Sequence, residues 1–268
     1  MKKSLEKKVE GSFMQQMLSP KEIADATVGV GQYKTSKKNS IVLVSAMLAG
    51  MFIGLGYTGY LIASGIMADA AVGKVVGALL FPVGLILVLI AGADLFTGNT
   101  LITMAWYKKE IKLSAVVKNL SIVWVGNLIG ALLLVTLIYF SNTFTGSVAD
   151  GIVHLAEKKA HLNMVELLTR GTLCNILVAI TVYMTYAAKD VTGKVIISFI
   201  PIWLFVITGF EHCVANMFVL PMGYLLGANI SFGEILHNLI PVTIGNILGG
   251  MIVTAAYYFI FLKAKQEH

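Results

Sequence analysis

Charge is what this chain lacks. Only 13% of its 268 residues are Asp, Glu, Lys or Arg, against 57% hydrophobic. That balance excludes an ordinary soluble domain and leaves room for several membrane spans. Acidic residues are the scarcer sign, 14 against 20 Lys and Arg. The surplus lysines lie at the ends of apolar runs and in the N-terminal segment, without interleaved aromatics. That pattern argues against a nucleic-acid partner and for membrane topology. Cysteine is nearly absent: Cys174 and Cys213 both fall inside apolar runs, where two buried thiols are expected rather than a disulfide or a metal site. Also missing is the apolar core of a signal peptide. Residues 1–38 are polar and carry eight lysines, so the segment is expected to stay in the mature protein.

What is present is a series of six long apolar segments, roughly 40–67, 75–106, 114–141, 165–188, 195–225 and 235–262. Their apolar character is nearly all-round, as in membrane spans. The expectation is an all-α membrane protein: an N-terminal segment (1–38), a six-span domain (39–262) and a short tail (263–268). Ser19-Pro20-Lys21-Glu22 supplies an N-cap, a proline at the first helical position and a capping-box glutamate, so a short helix should start there. It would lie on the surface or over a pore mouth. Six spans put both termini on one side. If that side is cytoplasmic it holds 16 of the 20 Lys and Arg, leaving Lys74, Lys158, Lys159 and Arg170 on the other face, as the positive-inside rule requires.

The fifth segment is anomalous. Between Val195 and Ile230 the only ionisable groups of the acid, base or imidazole kind are Glu211 and His212, and a charge near the bilayer centre costs roughly 2.5–3.5 kcal/mol on insertion scales. As one straight helix the run would extend about 54 Å, while the hydrocarbon core is about 30 Å thick. Gly209 opens the polar stretch and Pro201 and Pro221 flank it, so two half-helices joined by a linker are expected, an arrangement that lines pathways. The second segment repeats the pattern. Gly92-Ala93-Asp94 through Asn99 and Gly209-Phe210-Glu211 through Asn216 both read Gly-x-acid-x-x-x-x-Asn at an offset of 117. Gly126-Asn127-x-x-Gly130 matches Gly245-Asn246-x-x-Gly249 at an offset of 119. The chain is thus expected to be a duplicated three-span unit. Three is odd, so the copies form a 3+3 inverted repeat, with the broken second and fifth helices meeting near the midplane.

That geometry brings the linker holding Thr97 and Asn99 opposite the linker holding His212 and Asn216, as at the centre of a pore. A hydroxyl and an imidazole can replace part of a small solute's hydration shell, while Phe81, Leu85, Leu95, Phe96 and Phe205 supply apolar walls. Glu211 would repel an anion if left alone, so it is expected to be neutralised by a cation or held by amides while orienting His212. Lys159, in the 142–164 connection, is the candidate cation. Asn246 and Asn175 are the candidate amides.

Ala93-Asp94-Leu95-Phe96-Thr97-Gly98, Gly209-Phe210-Glu211-His212-Cys213-Val214-Ala215-Asn216-Met217 and Asn238-Leu239-Ile240-Pro241-Val242-Thr243-Ile244-Gly245-Asn246 resemble the signature stretches of the formate/nitrite transporter family, over about residues 20–262. The resemblance implies an aquaporin-like protomer with its own pore and no cofactor. It implies a homopentamer in the cell (inner) membrane, with both termini cytoplasmic, carrying formate, nitrite, hydrosulfide or their conjugate acids. It also implies Thr97 and His212 at the pore centre, Phe81, Leu85, Leu95, Phe96 and Phe205 at two constrictions, and Glu211, Lys159 (or Lys158), Asn175 and Asn246 as polar support. A passive channel and a proton-coupled transporter of the same anions both fit these residues. A neutral-solute aquaporin does not, because Asn99 and Asn216 are not followed by Pro-Ala. An intramembrane hydrolase built on Cys213 is disfavoured because sequence neighbours seldom converge, and a metal-ion transporter would want more ligands than Asp94, Glu211 and His212.

Overall fold

A computed structural model describes residues 17–263; residues 1–16 and the tail from 264 onward, both part of the expected terminal segments, lie outside them. In chain order the helices are α1 (Pro20–Ser36), α2 (Asn39–Ile66), α3 (Ala70–Leu80), α4 (Pro82–Ala91), α5 (Phe96–Asn99), α6 (Thr103–Tyr107), α7 (Leu113–Phe140), α8 (Gly146–Ala160), α9 (Met164–Thr185), α10 (Val191–Thr208), α11 (Cys213–Leu225) and α12 (Phe232–Tyr258), the last extended by a π turn over Phe259–Lys263. Six stretches are long and apolar enough to cross a membrane: α2, the kinked pair α3–α4, α7, α9, α10 and α12 with its π turn. Among the described residues there is no strand beyond a bridge pairing Met17 with Ala188. The protein is an all-α, multi-pass membrane protein.

Helix α1 starts where its capping box dictates. The Glu22 carboxylate accepts from the Ser19 N–H at 2.8 Å, and the Ser19 hydroxyl accepts from the Glu22 N–H. At 17 residues it is longer than the short helix expected. It buries Ile23, Ala24 and Val28 in a cluster with Leu101, Met104 and Ala105, which Leu262 from the other end of the chain also joins. Two spans begin earlier than their apolar runs. Asp69 accepts from the Ala71 and Val72 N–H groups, and Asp190 from the Gly193 N–H. Lys74 and Lys194 therefore lie within the first five residues of their helices, where their long stems can carry the charge outward. The connection between α7 and α9 is itself helical. In α8, Val148, Ile152, Ala156, Lys159 and Ala160 form a buried stripe at i, i+4 spacing.

The two breaks are built alike. Gly92 (φ 84°) ends α4 and Gly209 (φ 75°) ends α10, a left-handed geometry that side-chain-bearing residues avoid. Three residues then cross to the next helix start. Thr97, Asn99 and Asn216 consequently sit in the first turns of the second half-helices rather than in the linkers as expected. The early restart has a cause. The first N–H of each half-helix, which has no partner within its own helix, donates to an asparagine from a neighbouring span: Phe96 to Asn127 Oδ1 and Cys213 to Asn246 Oδ1, both at 2.9 Å.

These asparagines stand between the repeated glycines for a packing reason. A Cβ at Gly130 would collide with the Met47 carbonyl of α2, and one at Gly249 with the Thr172 carbonyl of α9. The glycines let α7 approach α2, and α12 approach α9, backbone to backbone. That closeness lets Asn127 reach the Ala46 and Asp94 carbonyls at 2.7 and 3.0 Å, and Asn246 the Gly171 and Glu211 carbonyls at 2.8 and 3.0 Å. The linkers are clamped in buried surroundings, where any unmade hydrogen bond costs about 1–3 kcal/mol.

Candidate functional site: a pore through the two helix breaks

Two cavities approach the breaks from opposite ends. One, of about 390 Å³, lies beside α8 and is lined by Lys158, Lys159, Phe81, Phe205, Glu211 and His212, among others. The other, of about 370 Å³, lies beside α1, and its lining includes Lys34, Lys37, Asp94, Asn99, Leu85 and Leu95. Between them Thr97 Oγ1 and His212 Nε2 are 3.0 Å apart, both residues buried. The Ala215 N–H donates to His212 Nδ1 at 3.3 Å, so the neutral ring carries its proton on Nε2 and donates to the Thr97 oxygen. The Thr97 hydroxyl proton is then left for another acceptor. This is a hydrogen-bonding centre presented by the starts of two half-helices, whose positive dipole ends favour negative charge.

Apolar side chains close the path on both sides of that centre. Phe81 and Phe205 meet edge to face, centroids 5.4 Å apart, and Phe205 stacks over the His212 ring at 6.0 Å. Leu85 and Leu95, both buried, face the other cavity. Phe96 differs from expectation. It lines neither cavity but a groove with Leu120, Trp124 and Ile247 between α7 and α12, because the turn that directs Leu95 to the cavity sends its neighbour to the opposite side of the chain.

The polar support is more systematic than its sequence suggests. Lys159 Nζ donates to both Glu211 oxygens at 2.9 Å and to Asn216 Oδ1 at 3.1 Å. The Asn216 amide donates to Glu211 and to Asn238 Oδ1, both at 2.7 Å, and the Asn238 amide returns to the Lys159 carbonyl at 2.8 Å. Lys158, one residue earlier, is exposed and reaches no carboxylate among the described residues. The amide that touches the carboxylate is thus that of Asn216, not Asn246 or Asn175. Asn246 holds the linker backbone. Asn175, from α9, donates to the Thr97 carbonyl at 3.4 Å and to Thr100 Oγ1 at 3.1 Å, bracing the threonine turn instead.

The same circuit exists at the other break. Lys34 binds Asp94 at 2.9 Å and also Asn99, and Lys37 binds Asp94 at 3.2 Å. Asn99 donates to Asp94 and to Asn119, and Asn119 donates to the Lys34 carbonyl at 3.2 Å. Even the backbone repeats: the Asp94 N–H donates to the Ser45 carbonyl, and the Glu211 N–H to the Arg170 carbonyl. Lys34, Lys37, Asn119 and Asn238 had no assigned place in the site. One signal for the asparagines was available, since Asn119 precedes Asn127 by eight residues and Asn238 precedes Asn246 by the same interval.

The comparisons agree with this geometry along nearly the whole chain. A formate/nitrite transporter profile matches residues 21–260. The formate channel FocA of Haemophilus influenzae is 36% identical over 265 residues, covering 90% of this chain and 93% of that protein. Among solved structures, a pentameric formate channel with formate bound aligns at TM-score 0.74 and 32% identity, covering 83% of this chain and 96% of its own. An FNT family ion channel aligns at TM-score 0.83 and 25% identity, covering 89% and 98%. With two broken helices, two acid–lysine circuits and a match over almost its full length, the chain belongs to the formate/nitrite transporter family.

Proposed function

We propose that this protein is a channel for formate and related small monovalent anions, or their conjugate acids. It works as a homopentamer with one pore in each protomer. It transports rather than catalyses. Lysine distribution supports a multi-pass protein of the inner membrane with both termini cytoplasmic, α1 over the cytoplasmic mouth and α8 over the opposite one. Three spans per copy turn the second half over relative to the first, so the two acid–lysine circuits serve opposite mouths.

The observation that carries this reading is the Thr97–His212 contact at 3.0 Å, flanked on each side by an apolar slit. An unpaired ion in low dielectric pays a solvation penalty on the order of tens of kcal/mol in the idealised limit, far beyond what two hydrogen bonds return. The charge left over at each mouth, Lys158 on one side and the second of Lys34 and Lys37 against the single Asp94 on the other, concentrates the anion by long-range attraction. Removal of its charge across the slits, by proton exchange at the centre, meets the rest of the cost. His212 is the side chain at the centre placed to pass that proton on. His212→Asn should keep the pentamer and alter its pH response, measured as formate, nitrite, hydrosulfide and glycerol flux into liposomes from pH 5 to 8. An unchanged rate and pH profile for formate would make the imidazole purely structural.

A further inference from the structure

Beside the pore, at the level where the spans begin, a separate recess of about 420 Å³ opens between the end of α1 and the starts of α2 and α7, lined in part by Lys34, Lys37, Asn39, Lys112, Ser114 and Lys118. Four lysines face one space. Asp94 answers Lys34 and Lys37, while Lys112 and Lys118 are exposed and have no carboxylate within ion-pair distance among the described residues. The nearest acid in sequence, Glu110, accepts instead from Gln32. Helices α2 and α7, each of 28 residues, both start here without a side-chain cap, so their first N–H groups add positive potential to the same space.

The recess does not end at the lysines. It continues, through the shared residues Asn39 and Ile122, into an apolar groove of about 380 Å³ that runs between α2 and α7 and is lined by Leu43, Val125, Ser40 and Ser121. A basic mouth at the start of two spans, joined to an apolar channel along them, has the two chemistries of one amphiphile. A free anion would use only the first.

We propose that this recess and groove bind an anionic phospholipid, its phosphate among Lys112, Lys118 and the α2 and α7 N-termini and one acyl chain between the two helices. Lys34 and Lys37 line both this recess and the pore mouth, so the headgroup competes with Asp94 for them, and lipid occupancy is coupled to the electrostatics of the mouth.

The test uses the full chain as the pentamer in uncharged detergent, titrated with phosphatidylglycerol or phosphatidylcholine and weighed by native mass spectrometry. A lysine at an anionic lipid surface is worth about fivefold in affinity. Lys112→Gln with Lys118→Gln should therefore lower phosphatidylglycerol binding roughly 25-fold, leave phosphatidylcholine binding unchanged and keep the pentamer mass. Ser121→Trp, which fills the groove and spares the lysines, should also weaken phosphatidylglycerol and serves if the double variant does not assemble. Equal phosphatidylglycerol binding by wild type and the lysine variant overturns the proposal. So does full displacement of the lipid by excess inorganic phosphate, which would make the recess a site for soluble anions.

Discussion

Replacing Lys159 by glutamine tests the circuit at the α8 mouth at its most exposed assumption, that the ion pair is part of the fold. Glu211 is 2% exposed and Lys159 9%, with the ammonium bonded to both carboxylate oxygens at 2.9 Å. Removing one member of a buried pair leaves an uncompensated charge, a loss of about 3–5 kcal/mol. Asn216 would still donate to Glu211, and glutamine can offer one weaker bond, so the lower end, about 3 kcal/mol, is expected. Lys158→Gln removes the same formal charge from the same cavity without stranding a carboxylate, and a surface change of that kind falls within about 0.5 kcal/mol. The pair of variants separates fold from field. Thermal unfolding of the pentamer should drop sharply for Lys159→Gln and barely move for Lys158→Gln, while Lys159→Gln with Glu211→Gln recovers much of the loss because no charge is left unpaired. Equal stability of the two single variants would refute the buried-pair argument.

Shrinking Leu85, Leu95 or Phe205 to alanine should raise flux and admit larger anions such as acetate or lactate in liposome assays, whereas Phe96→Ala should leave selectivity unchanged and cost stability, about 3–5 kcal/mol for a buried aromatic. Unaltered discrimination in the first three would remove them from the slits. Asn246→Ala and Asn127→Ala each remove three buried hydrogen bonds, two to the linker and the helix start after it and one to a neighbouring span, so each should lower pentamer stability by several kcal/mol, seen as earlier thermal unfolding. A variant as stable as wild type would show that linker to be held by other means. Deleting residues 1–25 removes the α1 cap and first turn but not Lys34. It should change the pH dependence or open probability of single channels with the pentamer intact, and identical traces would make the segment mere surface.

The six spans and both breaks were legible because they rest on local signals: long apolar runs, a glycine where the chain must turn left-handed, and an acid where none should be. The helix α8 carries its own signal in Val148, Ile152, Ala156 and Ala160 at i, i+4, but its mixed polarity between two far more apolar spans makes it read as a connection. The roles of the amides were misassigned for a related reason. Asn246 is near Glu211, but the glycines flanking it bring its amide to the linker carbonyl, while Asn216, one turn into α11, faces the carboxylate. Distance along the sequence does not tell a side chain's target from its neighbour's backbone. Lys34 was hidden by register. It matches Lys159 at an offset of 125, as Ser45 matches Arg170 and Ala46 matches Gly171, whereas the breaks match at 117. The stretch from the first span to the break is longer in the first half, Ala46 to Gly92, than in the second, Gly171 to Gly209, so a search at one offset finds the acids and not their cations. The duplicated unit contains the amphipathic helix before each first span as well as three spans.

Where the duplication fails is as informative as where it holds. Acid, lysine, clamping asparagines and glycines recur in both halves, and all of them hold backbone or each other. At the centre the same registers pair unlike residues: Leu95 with His212, Val214 with Thr97, and Gly50 with Asn175. A symmetric apolar centre would offer a passing solute no hydrogen bond. A symmetric pair of imidazoles would put the second ring at position 95, where Leu95 now serves the slit on the α1 side. Donor, acceptor and brace each come from one half only: the imidazole from the α11 start, the hydroxyl from α5 and the amide of Asn175 from α9. The scaffold is therefore under one constraint, to keep two broken helices buried without stranded polar groups, and it meets that constraint twice in the same way. The centre, where Thr97 and His212 meet, is free of that constraint, and there the two halves have diverged.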